Sequence, residues 1–344
     1  MAGVYNKYNS NTKHGRLKQI GLMLCLLPNF VMAQEDIIVF HNVENLFYPM
    51  DDKQTQDDDF TLEGKKHWTF KKYNKKLNDL AKTYIAIDEK QMPSIIGLCE
   101  IENDTVLRAL TLSTPLRKIG YKYIHYPSKD IRGIDVALLY NPKRFKAEEH
   151  YTLPSVSDKE EDRTRDVLYV KGVIGKLPIN IYVVHAPSRR ENNIKKELRE
   201  EIFFQIYAHI NNMYSKGEKN FLIMGDFNDN PWDETIIKGF ALNDTSKTDK
   251  VKLIDLMQNN KDITGSYVYS KVYYSFDQFI VSENLRDKIL YGKNFNQSHI
   301  FKPSFLVEKD RKSKVDKPFS AYKGMKYQGG ISDHFPVVLK INTR

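Results

Sequence analysis

The chain has 344 residues, with 53 lysines and arginines against 44 acids and a formal charge of +9. That length allows one large domain or two ordinary ones, and the mild basic bias fits an anionic substrate without demanding nucleic acid. Two cysteines exclude a disulfide-built scaffold.

In chain order, the N-terminus reads as a targeting segment. A basic stretch, KHGRLK, precedes the apolar run IGLMLCLLPNFVM, which is too short for a membrane span of about 20 residues. The run closes on VMAQ, with Val31 and Ala33 where a signal peptidase reads. Cleavage after Ala33 is expected, giving an exported protein, periplasmic or extracellular. Residues 1–33 carry four bases and no acid, so residues 34–344 have a charge of +5 and one cysteine, Cys99. Such a chain must rest on its core, and about 310 residues can bury one. No other stretch is apolar enough to cross a membrane.

EDIIVFHNVENLF reads as a buried strand running into a polar end, and residues 51–59 as an acidic loop. From Trp68 to Ile87, Tyr73, Leu77, Leu80, Ala81 and Tyr84 recur at three and four, which predicts a helix. SIIGLCE is a strand ending on Glu100, and a short helix over residues 104–112 leads into the strands YKYIHY and IDVALLY. INIYVVHAP is a strand reaching His185, residues 191–214 are a charged amphipathic helix, and NFLIMGD ends on Asp226. Asp277 opens FDQFIVS, FPVVLKI follows Asp333 and His334, and the basic stretch 309–326 reads as an inserted loop. Strands alternating with helices, then a strand-rich half with no linker or repeat, predict one layered α/β domain with mixed sheets.

The polar residues sit at strand ends. Asn42 and Glu44, Glu100, His185, Asp226 and Asn228, then Asp333 and His334 close five apolar runs, and Asp277 opens a sixth. Residues two apart in a strand share a face, so Asn42 with Glu44 and Asp226 with Asn228 are each expected to present an amide and a carboxylate together. Gathered at one edge, these oxygens suit a hard divalent cation that keeps waters and shares phosphate oxygens. Imidazoles beside it can move protons or hold phosphate. In LIMGDFNDNP, Asp229, Asn230 and Pro231 are expected only to make the turn, so that Asp229→Asn does little. The sequence contains no G-x-x-x-x-G-K-[ST], G-x-S-x-G, H-E-x-x-H or C-x-x-C. His41, His125, His150, His209 and His299 read as structural.

HNVENLF, LCEIEN, RGIDVALLY, VVHAPSRR, GDFNDNP, FDQFIVS and SDHFPV occur in the order seen in the endonuclease/exonuclease/phosphatase family, which the chain resembles from about residue 36 to 342. FTLEGKKHWT and YKGMKYQGGISDH resemble a bacterial secreted branch. The resemblance implies a DNase I-like four-layer α/β sandwich, two mixed sheets face to face with helices on both outer sides. It implies Mg²⁺, with Mn²⁺ able to substitute, held by Asn42, Glu44, Glu100 and Asp333. Asp226 resembles the residue that orients or deprotonates water, Asn228 the amide on the phosphate, and His334 the histidine on the scissile phosphate, oriented by Asp277. His185 matches a second phosphate-facing histidine, a departure from the abasic-site endonucleases.

Arg132, Arg189 and Arg190 flank site motifs and are expected on substrate phosphate. Bases of the 309–326 stretch, with Tyr322 and Tyr327 among them, could line a nucleic-acid groove. A monomeric nuclease is the first expectation. A lipid- or sugar-phosphate hydrolase is the second, although the sequence shows no clear membrane-contacting aromatic hairpin, and an inactive binding module is the third.

Overall fold

In β1 (Glu35–Leu46), Ile37 and Val39 pack with the buried residues of one helix layer while Ile38 and Phe40 face a second sheet, and all four are fully buried. A strand apolar on both faces belongs in the middle of a layered fold, and the computed structural model places it there. It describes residue 3 and residues 35–154, 163–189, 193–242, 250–258, 265–289, 298–309 and 315–343. The expected targeting segment, Arg190, and Arg311, Lys312 and Lys314 of the basic stretch lie outside the described residues.

The first sheet joins β1 to β2 (Ile95–Ile101), β3 (Lys122–His125), β4 (Asp135–Tyr140), β13 (Ser298–Ile300) and β18 (Val337–Asn342) in the order β13-β18-β1-β2-β4-β3. The second contains β5 (Phe145–Leu153), β6 (Val167–Ile174), β7 (Leu177–His185), β8 (Phe221–Asp226), β9 (Leu253–Asp255) and β12 (Asp277–Ser282) in the order β5-β6-β7-β8-β12-β9. Each is mixed: β1 runs parallel to β2 and β7 parallel to β8, and the other pairs are antiparallel. Phe40, Leu138, Val170, Ile181, Met224 and Phe279 fill the space between the sheets.

Helices α1 (Phe70–Ile85) and α2 (Asp104–Leu112) cover the outer face of the first sheet with Tyr73, Leu77, Tyr84, Val106 and Leu110. Helices α3 (Lys196–Ser215) and α4 (Glu234–Gly239) cover the second with Ile202, Phe203, Ile206 and Ile236, and a short α5 (Glu283–Arg286) follows β12. Thr69 caps α1 by accepting from the Lys72 N–H, and Asn103 caps α2 by accepting from the Thr105 and Val106 N–H groups, as these side chains do at helix starts. The four-layer α/β sandwich is therefore present. No helix among the described residues is long and apolar enough to cross a membrane.

Two expectations change. Two strands, β5 and β6, add to the expected set, and β5 has the pattern of a charged sheet edge, which carries no apolar alternation. The expected loop at 309–326 is ordered over its described parts: β14 (Val307–Lys309) pairs with β15 (Asp316–Pro318), and β16 (Tyr322–Lys323) with β17 (Lys326–Tyr327). Tyr322 is 8% exposed, packs on Phe60 and Trp68, and donates its hydroxyl to the Lys66 carbonyl at 2.9 Å. It cannot stack on a nucleobase.

Candidate active site

The strand ends do converge. Asn42, Glu100, His185, Asp226, Asn228, Asp333 and His334 line one cavity of about 600 Å³, together with Arg132 and Arg189. Antiparallel pairing sets Asp277 beside Asp226, and parallel pairing sets His185 beside it on the other side. Three neighbouring strands thus deliver three of the expected side chains to one level.

Asp226 is 2% exposed and lies at the centre. Its Oδ2 accepts from Asn42 Nδ2 at 3.0 Å and sits 3.8 Å from both His185 Nε2 and His334 Nε2. Its Oδ1 accepts from the Asn228 N–H at 2.9 Å. Burial pushes its pKa up to about 7, against the pull of the His334 charge. Asn42 also donates to Glu100 Oε1 at 3.4 Å, and Glu100 Oε2 accepts from the Asn45 N–H at 2.7 Å.

The two imidazoles are set to opposite charge. His185 is buried, and burial followed by Arg165 and Arg132 holds its pKa well below the ordinary value. Burial would do the same to His334, but Asp277 and Asp226 outweigh it and lift its pKa well above the ordinary value. Asp277 Oδ2 lies 2.7 Å from His334 Nδ1, which fixes the ring with Nε2 toward the cavity. Beneath it, His41 bonds the His334 carbonyl at 3.3 Å and the Tyr84 hydroxyl at 3.2 Å, a structural role as expected.

Backbone strain aims these groups. Glu44, Asn45, Glu100 and Asn228 have φ between 51° and 63°, and the β1–β2 and β2–β4 ladders shift register at Asn42/Leu46 and Cys99/Ile101. Left-handed non-glycine residues cost about 1–3 kcal/mol each and cluster at functional sites, and a bulge re-aims a side chain. Glu44 is turned out of the cavity by the same device. Its carboxylate accepts from the Ala321 and Tyr322 N–H groups at 2.7 and 3.2 Å, so simple alternation, which put it beside Asn42, fails there. Burial, with Asp333 second, raises its pKa to about 8, and its peptide oxygen accepts from the buried Lys76 ammonium. Glu44 ties the site loop to β16 and does not line the cavity, so the structure does not place it as the metal donor expected from the sequence.

Without Glu44, Glu100 and Asp333 remain as half-buried carboxylates on the cavity, with the Asn42 amide between Glu100 and Asp226. Burial raises the pKa of Asp333 against the pull of the His334 charge, and the neighbouring Glu100 raises it further. Hard oxygens open to solvent fit an ion that keeps part of its water. The tightest groupings of possible ligands among the described residues are Cys99–His185–Asp226 and Asp226–Asp277–His334. The second is already bound internally as an acid–imidazole pair, and the first includes a thiol that burial holds protonated.

Several residues were not foreseen. Tyr267, Tyr269, Tyr274 and Phe276 form an aromatic wall of the cavity. The three tyrosines come from the hairpin of β10 (Tyr267–Tyr269) and β11 (Val272–Tyr274), Phe276 follows it just before β12, and Tyr267 stacks on His334 at 4.7 Å. Tyr269 is 63% and Val272 51% exposed, so an aromatic hairpin does exist. The period-two pattern of YVYSKVYY was its signal. Its two-residue turn, Ser270–Lys271, has φ of 48° and 69°, a conformation that normally asks for Asn-Gly, which concealed it.

Asp229 is likewise more than a turn residue. It is buried and accepts from Arg199 Nε at 2.7 Å, Arg189 Nε at 2.9 Å and Thr235 Oγ1 at 2.6 Å. Arg189 lines the cavity and lies over Phe276 at 5.2 Å, but its Nε and Nη2 are committed to the Asn228 carbonyl, Asp229 and Asp233. It holds the turn before it can hold a phosphate.

A model of the Endonuclease/Exonuclease/phosphatase family matches residues 37–343, nearly the whole described chain. The chain belongs to that family. Its members hydrolyse phosphate esters with a divalent metal, and this protein is such a hydrolase. Truncated Caenorhabditis elegans TDP2 superposes with a TM-score of 0.54 at 15% identity, covering 90% of this chain and 98% of that one. The human nocturnin catalytic domain with bound sulfate gives 0.52 at 16%, covering 89% and 93%, and a Bacteroides thetaiotaomicron mannosyl-6-phosphatase gives 0.52 at 16%, covering 88% and 98%. These likenesses show the fold. No protein of curated function matches the sequence.

Proposed function

We propose that this protein is an exported, Mg²⁺-dependent phosphodiesterase that cleaves nucleic acid by in-line attack of water, with Mn²⁺ able to replace Mg²⁺, and that it acts as a monomer. The observation that carries the reading is the composition of one cavity, in which a buried acid lies 3.8 Å from two imidazoles of opposite charge preference and faces an aromatic wall. The partly exposed rings of Tyr267, Tyr269 and Tyr274 beside a phosphate site offer stacking surface to a nucleobase, whose π-face they can meet whatever its identity.

Glu100 and Asp333, with Asn42 beside them, are the residues that would hold the ion, which supplies charge neutralisation at the phosphate oxygens. Asp226, ionised above a pKa of about 7, is placed to take the proton of the attacking water. Asn228 binds a phosphate oxygen through its amide, and the His334 imidazolium, fixed by Asp277, binds another and stabilises charge developing there. Neutral His185 completes the cradle as a hydrogen-bond partner.

The exposed hairpin favours a second reading, a phospholipase-C-type hydrolase that rests Tyr269 and Val272 on a lipid surface. Incubation with linear DNA, RNA, sphingomyelin vesicles and inositol phosphates, in Mg²⁺, Mn²⁺ or EDTA, separates the two. Metal-dependent cleavage of nucleic acid, lost in His334→Ala and Asp226→Asn, supports the nuclease. Turnover confined to sphingomyelin or inositol phosphates overturns that substrate and keeps the chemistry, and silence on every substrate leaves a binding module on the same fold.

A further inference from the structure

Helix α1 buries a lysine among apolar neighbours. Tyr73, Lys76, Leu77 and Leu80, spaced by three and four, share its buried face, and Lys76 is 2% exposed. Lysine is almost never buried unless it is paired. Here Nζ donates to the Glu44 carbonyl. Burial lowers the Lys76 pKa, and the carboxylates of Glu44, Asp333 and Glu100 raise it, in that order, against Lys66. Two of those acids line the main cavity, which Lys76 itself does not reach.

The carbonyl that Lys76 holds belongs to the frame of the site. The Glu44 C=O and the Asn45 N–H are the two ends of one planar peptide unit, and the Asn45 N–H donates to Glu100 Oε2 at 2.7 Å. One rigid group thus connects the Lys76 amine to the Glu100 carboxylate. It lies between two left-handed residues, Glu44 at φ 52° and Asn45 at φ 51°, a conformation that persists only where surrounding contacts hold it. The same turn supplies a second bond: the Glu44 N–H donates to Asn42 Oδ1 at 3.0 Å, and Asn42 Nδ2 donates to Glu100 Oε1 at 3.4 Å. Among the described residues, both hydrogen bonds to the Glu100 carboxylate therefore come from the turn that Lys76 ties to α1. Successive hydrogen bonds polarise one another, so the Lys76 amine also makes the Asn45 N–H a better donor.

We propose, on the reading of Glu100 as a metal donor, that Lys76 is a positioning residue for it, acting through the Glu44–Asn45 peptide. Lys76 keeps that strained peptide turned with its oxygen toward α1 and its N–H toward Glu100. Without the amine the peptide is free to relax, and the carboxylate loses a donor that orients it. Two effects then oppose each other. Loss of a group that orients a metal-binding carboxylate weakens metal affinity by about 10–100-fold. Removal of a buried positive charge near two acids would by itself tighten the binding of a cation. The sign of the change separates positioning from charge.

The test titrates the whole metal-free protein with Mg²⁺ in a calorimeter. Lys76→Met, close in shape but without a donor, is expected to weaken binding by about 10–100-fold. Leu80→Ala, a truncation on the same buried face, is expected to lower Tm and leave Mg²⁺ affinity unchanged. Amide exchange followed by NMR should find the Asn45 N–H opening faster in Lys76→Met than in Leu80→Ala. If Lys76→Met does not fold, the same titration is read in Lys76→Gln, which stays polar but is one bond shorter than the lysine, and the same weakening is expected. Unchanged or tighter binding in the lysine variant overturns the proposal, as does a loss in Leu80→Ala as large as the loss in the lysine variant. Mg²⁺ binding that needs Glu100 but not Lys76 overturns the proposal alone. A wild type that binds no Mg²⁺, or a Glu100→Gln variant that binds it equally well, removes Glu100 as a metal donor, and the proposal falls with that reading.

Discussion

Asp229→Asn removes one charge at constant shape, and the structure makes that a large perturbation. The carboxylate it replaces is buried and accepts from Arg199 at 2.7 and 3.3 Å, from Arg189 at 2.9 and 2.5 Å, and from Thr235 at 2.6 Å. Arg199 is fully buried, so its charge has no solvent to turn to. Breaking one side of a buried ion pair costs about 3–5 kcal/mol. The Pro187 carbonyl, at 3.2 Å, and the Asn193 side chain still accept from Arg199, which places the effect at the lower end, about 3 kcal/mol. At about 2 °C per kcal/mol for a chain of this size, Tm should fall by about 6 °C in scanning calorimetry. The double variant Arg199→Met with Asp229→Leu should recover more than half of the loss, because an apolar pair often replaces a buried ion pair at little cost. A Tm within about 1 °C of wild type in Asp229→Asn, or a double variant no better than the single one, would refute this reasoning.

Asp255 is buried, its Oδ2 has no partner among the described residues, and burial raises its pKa to about 7. Folding therefore favours its protonated form, and that stabilisation is full below the unfolded pKa near 4 and lost as pH rises through about 7. Thermal melts should find Asp255→Asn more stable than wild type at pH 8 and equal to it at pH 4; no gain at pH 8 contradicts the sign. Asp277→Asn should lower kcat about 10²–10⁴-fold in steady-state assays, by removing the acceptor 2.7 Å from His334. Tyr269→Ala should raise KM more than it lowers kcat, since Tyr269 lines the cavity from an exposed hairpin, unlike the buried acid and imidazoles; an equal fall in kcat would place it in the chemistry. Mg²⁺ at about 100 times its Kd should stabilise the protein by about 2.7 kcal/mol in melts, and Glu100→Gln should abolish most of that shift.

The sequence carries the frame of the site because its acids, amides and imidazoles interrupt strands that are otherwise apolar. Asn42, Glu100, Asp226 and His334 stand out for that reason, and all four reach the cavity. Alternation misplaces Glu44 because a left-handed backbone at Glu44 and Asn45 breaks the period of two. No local pattern could reveal the role of Asp229, whose partners Arg199 and Arg189 lie 30 and 40 residues away in the chain. Thr164 Oγ1 and Arg165 Nε, buried and without a hydrogen-bond partner among the described residues, are visible only once burial and hydrogen bonding are known together.

The β10–β11 hairpin pairs with itself as a separate two-stranded sheet, and a bridge between Tyr267 and His334 connects it to the catalytic frame. The acids, amides and imidazoles that line the cavity come instead from the ends of the two large sheets. Length, sequence and stiffness at Ser270–Lys271 can therefore drift independently of the hydrolytic groups. A lineage built on this arrangement can vary the aromatic wall of its cavity while keeping the acids and imidazoles opposite it.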